Sequence, residues 1–214
     1  MKAVEVPPTK PRLHPSEIEA YLDGFLSQEQ KFLYPIVIVG IRGYYMKSMG
    51  EAAKNDRGIY DDAIFIKTPD GIYAYNGNTD PSNVRMGTGT GTKKGMATLK
   101  PGTYYAHRVG LHNGKYIALV QRAANVTVIR DGEPPYEDTG MFGINIHMGY
   151  FNSTGSEGCQ TIFKTQWPEF ITHVTKYCSQ RWPKEWAKFA EDIKAGKNPV
   201  FDKLIIPYIL VDNA

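Results

Sequence analysis

The sequence predicts a β-rich α+β fold, a sandwich-like strand core flanked by an N-terminal helix and C-terminal helices. Three observations carry this. Fourteen Tyr, 21 Gly and 14 Pro in 214 residues favour strands and tight turns over a helical bundle. The middle of the chain carries short apolar or alternating runs separated by turn residues. Only after about residue 165 does the apolar spacing lengthen to three or four, the period of a helix.

From the N-terminus, residues 1–14, with Pro7, Pro8 and Pro11, read as an extended, partly disordered arm, and 15–214 as a single domain. Ser16 and Glu19 fit a capping box for a helix bearing Ile18, Tyr21, Leu22, Phe25 and Leu26. Ile36 to Ile41 is apolar and largely β-branched, the pattern of a strand buried on both faces. Residues 62–67 and 72–75, joined through Thr68-Pro69-Asp70-Gly71, form a hairpin. Further strands are expected at 103–109, 116–121 and 125–130. Trp167, Phe170, Ile171, Val174 and Cys178 make one helical stripe, which assigns Cys178 to the core. Pro183 opens a second helix with Trp186, Phe189 and Ile193, Gly196 ends it, and residues 204–211 return to strand.

A net charge of +3 with scattered Lys and Arg gives no nucleic-acid footprint, and no stretch approaches the apolar length of a membrane span, so no membrane insertion is expected. The first residues lack the apolar core of a secretory signal, which implies synthesis as a soluble cytoplasmic protein. Two cysteines make neither a disulfide framework nor a thiolate metal site. Gly87 to Gly95 departs from the phosphate-loop spacing and precedes a strand, so it reads as a rim loop. A zinc site from His147, Glu157, Cys159 and His173 lacks a recognised ligand spacing. His107 and His112 flank a hairpin turn and are assigned to the surface, with the cleft as the alternative.

The chemistry-bearing segment runs from Gly143 to Ile162. Alternation up to His147 predicts a strand delivering an imidazole at its end, and the Gly- and Ser-rich stretch after it allows Cys159 to fold back onto it. A thiol near pKa 8.5 needs a neighbouring base or positive charge to act as a nucleophile, and His147 can supply it. Gly158 permits close approach of the backbone, so its amide and that of Cys159 are candidate oxyanion donors. Ser156 either braces the cysteine loop or caps a turn. Asn145, one alternation step before His147, contacts substrate or satisfies a neighbouring strand. Glu157 binds a cationic part of the substrate, tunes His147, or points into water.

The segment His147-Met148-Gly149 followed by Ser156-Glu157-Gly158-Cys159 resembles the signature of L,D-transpeptidases of the YkuD type, and Pro101-Gly102-Thr103-Tyr104 resembles that family's upstream strand. The resemblance covers about residues 60–165. It implies Cys159 as acylated nucleophile, His147 as base, the backbone around Met148 as the group orienting the imidazole, and Gly158 in the oxyanion loop. Catalysis is thus expected from Cys159, His147, Gly158 and Ser156, and substrate contact from Asn145, Met148, Glu157 and Gln160. It implies no metal or other cofactor and a peptidoglycan stem peptide as substrate. Glu157 stands where the family has a second histidine, and Gln160-Thr161 also departs from its pattern. With no secretory signal, the expectation is a hydrolytic, endolysin-like peptidase of bacteriophage type, acting on the wall after release. A true transpeptidase is the alternative, and a non-catalytic wall-binding or virion protein is the alternative of another class. A papain-like amidase normally has its cysteine before its histidine, the reverse of the order here. Oligomeric state is not legible in the sequence.

Overall fold

Arg42 ends one apolar strand, Asp62 begins the next and Asp80 follows a third, and their burial shows how tightly these strands are enclosed. In the structure, a computed structural model, residues 3–51, 53–87 and 94–213 are described. The segment 88–93, most of the expected rim loop, lies outside them.

The chain forms a mixed α+β fold. Its elements are α1 (Pro15–Phe25), α2 (Gln28–Leu33), β1 (Val37–Arg42), β2 (Asp62–Thr68), β3 (Gly71–Asn78), β4 (Ala97–Leu99), β5 (Gly102–His112), β6 (Tyr116–Gln121), β7 (Val126–Arg130), β8 (Tyr136–Gly140), β9 (Ile146–Met148), β10 (Gln160–Ile162), α3 (Trp167–Arg181), α4 (Pro183–Lys194) and β11 (Val200–Asp212). Eight strands close in the order β1-β11-β5-β6-β9-β10-β3-β2, and β4, β7 and β8 form a separate three-stranded sheet.

The sandwich-like arrangement expected from the sequence is therefore a barrel. Closure depends on β11, which pairs parallel with β1 and antiparallel with β5, so neither strand keeps a free edge. The β11–β5 register shifts on both sides of Ile206, and the second shift spans Pro207, which has no N–H to give to a ladder.

The β2–β3 hairpin follows its local chemistry, with Thr68 opposite Gly71 across Pro69-Asp70. β1 is buried on both faces: Ile38 points into the main core, while Val37, Val39 and Ile41 meet Ile18, Leu22 and Leu26 on the α1 side. Each of those three side chains contributes about 1.5–3 kcal/mol by leaving water. On the other flank, Trp167, Phe170, Val174 and Cys178 of α3 join the main core, as does Phe189 of α4, and Trp182 and Trp186 lie against Phe201.

Two local readings change. The first helix begins at Pro15 and is capped by His14, whose own amide donates to Glu17 at 2.7 Å, two residues before the box expected at Ser16 and Glu19. Pro15, preset for a first helical turn, moves the start. The N-terminal arm is extended but pinned: Val4 donates to the Phe151 carbonyl, Tyr60 N to Glu5, and the Tyr44 hydroxyl to Arg12 O at 2.7 Å.

Candidate active site

The short strands β9 and β10 run parallel, with Gln160 opposite Ile146 and Thr161 opposite His147. Cys159 immediately precedes β10, so it sits diagonally across from the imidazole. The loop between the strands is held from both ends. Ser82 N donates to Ser156 O and Ser156 N to Ser82 Oγ, each at 2.8 Å, and Ala97 N donates to Glu157 O. Ser156, which is buried, then braces the cysteine turn itself: its hydroxyl donates to Cys159 O at 2.7 Å and accepts from Gly158 N at 2.9 Å. Gly158 has φ +149°, and a Cβ there would stand 2.4 Å from the Ala97 carbonyl oxygen, so only glycine lets this turn press against β4.

Cys159 and His147 line one cavity of about 510 Å³, together with Asn145, Gly143, His112 and Glu157. His147 is 2 % exposed, and its Nδ1 lies 2.8 Å from Met148 O. A carbonyl only accepts, so Nδ1 carries the proton and Nε2 keeps its lone pair. The Tyr116 hydroxyl is the next neighbour of Nδ1, at 3.4 Å.

Burial lowers the His147 pKa to about 4, with His112 adding to the effect and the Met148 hydrogen bond opposing it. Burial raises the Cys159 thiol to about 11, against the Asn145 N–H and with Glu157. Near neutral pH the pair is a thiol and a neutral imidazole rather than a thiolate–imidazolium pair. The thiol donates to Gly143 O at 3.3 Å and receives the Asn145 amide at 3.4 Å.

The segment that receives the thiol is fixed by Gln121, at the end of β6. Its Oε1 accepts the amides of Phe142, Gly143 and Ile144, at 3.1, 2.9 and 2.9 Å, while its Nε2 donates to Ala124 O and Gly140 O. Gln121 N in turn donates to Asn145 Oδ1 at 2.9 Å. The other end of the Asn145 amide meets His112 Nδ1 at 3.1 Å, and the His112 ring stacks on His147 with centroids 4.0 Å apart.

Asn145 therefore satisfies neighbouring strands and orients His112, while its backbone faces the sulfur. Ser156 braces the loop rather than facing the cavity. Glu157 is exposed on the rim and paired with Arg85 at 2.8 Å. Two residues expected to contact substrate, Gln160 and Met148, do not line the cavity. The Gln160 side chain is fully buried, donating to Gly158 O and accepting from the Tyr208 hydroxyl, because alternation turns it to the barrel interior. Met148 contributes its carbonyl, and its side chain packs on the main core. The Gly158 amide, expected as an oxyanion donor, is taken by Ser156 Oγ. The Cys159 amide has no hydrogen-bond acceptor among the described residues, which leaves it as the backbone donor beside the sulfur.

His112, read from sequence as a surface residue with the cleft as alternative, lines the cavity. His107 is buried inside the barrel, with Nε2 on Ile144 O at 2.9 Å. His173 stacks on Tyr73 at 3.8 Å, away from the cavity, so it does not join the other residues of the conjectured zinc set. Sequence reading missed Gln121 and Tyr116. A glutamine ending an apolar strand gives no signal of the three amides it gathers some twenty residues away.

This arrangement can remove a proton from a thiol as it attacks, donate a backbone N–H to a developing oxyanion, and pass the proton on. No protein-family model matches the chain, and no curated protein is similar to it in sequence, so the kind of chemistry is read from the cavity's own residues.

Proposed function

We propose that the protein is a cysteine acyl-transfer enzyme acting on peptidoglycan stem peptides, with an L,D-transpeptidase-type site set in its barrel wall, and that it works as a peptidase. The observation that carries the reading is a thiol and an imidazole with free Nε2 in one cavity, both oriented by backbone groups. As the substrate carbonyl enters, Cys159 Sγ leaves Gly143 O and attacks the carbonyl carbon while its proton passes to His147 Nε2. The Cys159 amide stabilises the oxyanion. Collapse breaks the C–N bond, and the departing amine takes the proton from His147, leaving a thioester. Water then attacks, giving a proton to His147, and the thiol and a carboxylic acid are released. An amine entering in place of water gives the transpeptidase outcome.

The neutral pair makes one consequence unlike that of a preformed thiolate: alkylation of Cys159 by iodoacetamide is slow near pH 7 and accelerates toward the thiol's own pKa, so slow labelling does not argue against catalysis. The deciding experiment is mass spectrometry of muropeptides from purified wall treated with the parent and with Cys159→Ala, paired with the intact mass of the parent after mixing with stem peptide. Shortened stems and an acyl adduct in the parent alone support a peptidase, and exchanged or crosslinked termini a transpeptidase. Muropeptides left unchanged by both proteins would falsify the enzyme reading and favour a wall-binding module, and stems shortened equally by both would remove Cys159 as the nucleophile.

A further inference from the structure

Charge in the cavity wall is unevenly compensated. Among the described residues three arginines line it, Arg85, Arg122 and Arg130, against one lining carboxylate, Glu157. Arg85 is taken by Glu157 at 2.8 Å, and Arg130 by Asp138 at 2.6 Å with a further bond to Gly95 O. Arg122 has no carboxylate partner among the described residues. Among the described residues its guanidinium bonds only the neighbouring Gln121 carbonyl, at 3.0 Å, and the residue is exposed.

Position adds to this. Arg122 directly follows Gln121, whose side chain holds the amides of 142–144 and so fixes the carbonyl on which the Cys159 thiol rests. The unpaired guanidinium therefore leaves the backbone next to the segment that fixes the nucleophile. A guanidinium with no carboxylate of its own, in a cavity open to solvent, is matched by the planar oxygens of a carboxylate.

We propose that Arg122 is a specificity-determining residue that binds a carboxylate of the peptide close to the bond attacked by Cys159. This rests on the acyl-transfer reading for the peptide's placement. A lysine-containing stem peptide offers two such groups, the α-carboxylate of its γ-linked glutamate and its C-terminal carboxylate, and Arg122 selects for the free acid at one of them.

The test separates binding from chemistry. Calorimetry is performed on the full-length Cys159→Ala protein with the peptide L-Ala–γ-D-Glu–L-Lys–D-Ala, with its glutamyl amide, and with its C-terminal amide. It is repeated after adding Arg122→Gln or Arg122→Lys. The expected result is that one amide binds about tenfold or more weakly than the free acid, identifying the carboxylate. Arg122→Gln abolishes that preference without weakening the amide further, and Arg122→Lys keeps part of it. Equal affinity for all three peptides, absence of binding included, overturns the inference, as does a preference that survives Arg122→Gln. A parent that forms no acyl adduct sinks the acyl-transfer reading and leaves these affinities standing; an adduct with no carboxylate preference sinks this inference alone.

Discussion

Two buried polar regions of this barrel solve the same problem in opposite ways. Around Arg42 the groups are charged and answer one another. The guanidinium of β1 lies 3.3 Å from Asp80 and 3.6 Å from Asp212 of β11, and it donates to Thr79 O and to Leu99 O of β4. It joins the closing strand pair to the small sheet. Around Cys159 the groups are neutral and are held by amides and carbonyls. The charged region is built for cohesion. In the other, burial without a counter-charge keeps the thiol protonated and the imidazole neutral.

Groups buried near the two regions respond to acid with opposite sign: Asp61, which adjoins Asp62 and feels the charge of Asp80, on one side, and His107 and His147 on the other. Burial, with Asp80 and Asp56 adding to it, raises Asp61 to about 7, so the folded state binds this proton where the unfolded chain does not, and stability from this group rises as pH falls from about 7 toward 4. Burial lowers His107 and His147 to about 4, so the unfolded chain takes those protons first, and stability is lost as pH falls from about 6.5 toward 4.

The strongest way to break the comparison is Arg42→Met, which leaves Asp80 and Asp212 without their cation. Unfolding free energy is expected to fall by about 3–5 kcal/mol in urea titration, whereas Cys159→Ala keeps its midpoint near that of the parent. A loss below 1 kcal/mol for Arg42→Met would show that the charged region is not what holds β1 to β11. Next is Gln121→Leu, which strands the amides of 142–144. A loss of about 2–3 kcal/mol is expected, with kcat falling more than KM rises because the thiol's resting carbonyl is no longer fixed; an unchanged kcat removes Gln121 from the positioning scheme. Smaller is Asp61→Asn, which deletes the acid-stabilising term. Its stability should drop between pH 7 and pH 4.5 by about 1–2 kcal/mol more than the parent's, and parallel curves for the two proteins would dismiss the raised carboxyl. Smallest is His112→Ala. Removing the stacked ring takes away one of the influences that depress His147, so the acidic limb of kcat/KM should move to higher pH by less than about one unit. A limb that moves down or stays put rejects the coupling.

Local features were legible in advance wherever neighbours in sequence decide the outcome. Pro69-Asp70 sets the hairpin, the apolar stripe of α3 sets its buried face, and the run from Ile36 sets a strand covered on both sides. The strands β4, β8 and β10 and the helix α2 escaped because they are short or polar and are stabilised by what they pair with. His147 and Cys159 stood out because they are rare residue types in a glycine- and serine-rich segment. Gln121, Tyr116 and His112 did not, since each acts on residues some twenty or more positions away.

By itself the sequence determined the α+β composition, the hairpin, the C-terminal helices and the placement of one histidine and one cysteine at either end of a loop, because turn chemistry and apolar period act over a few residues. Tertiary structure alone decided that β11 closes the strands into a barrel, that Ser156 Oγ accepts the Gly158 amide, that Gln160 faces inward, and that burial shifts the thiol and the imidazole toward their uncharged forms. Those outcomes depend on which distant groups share a desolvated space, and the cost of leaving a buried polar group unpaired is set by that space rather than by the order of residues along the chain.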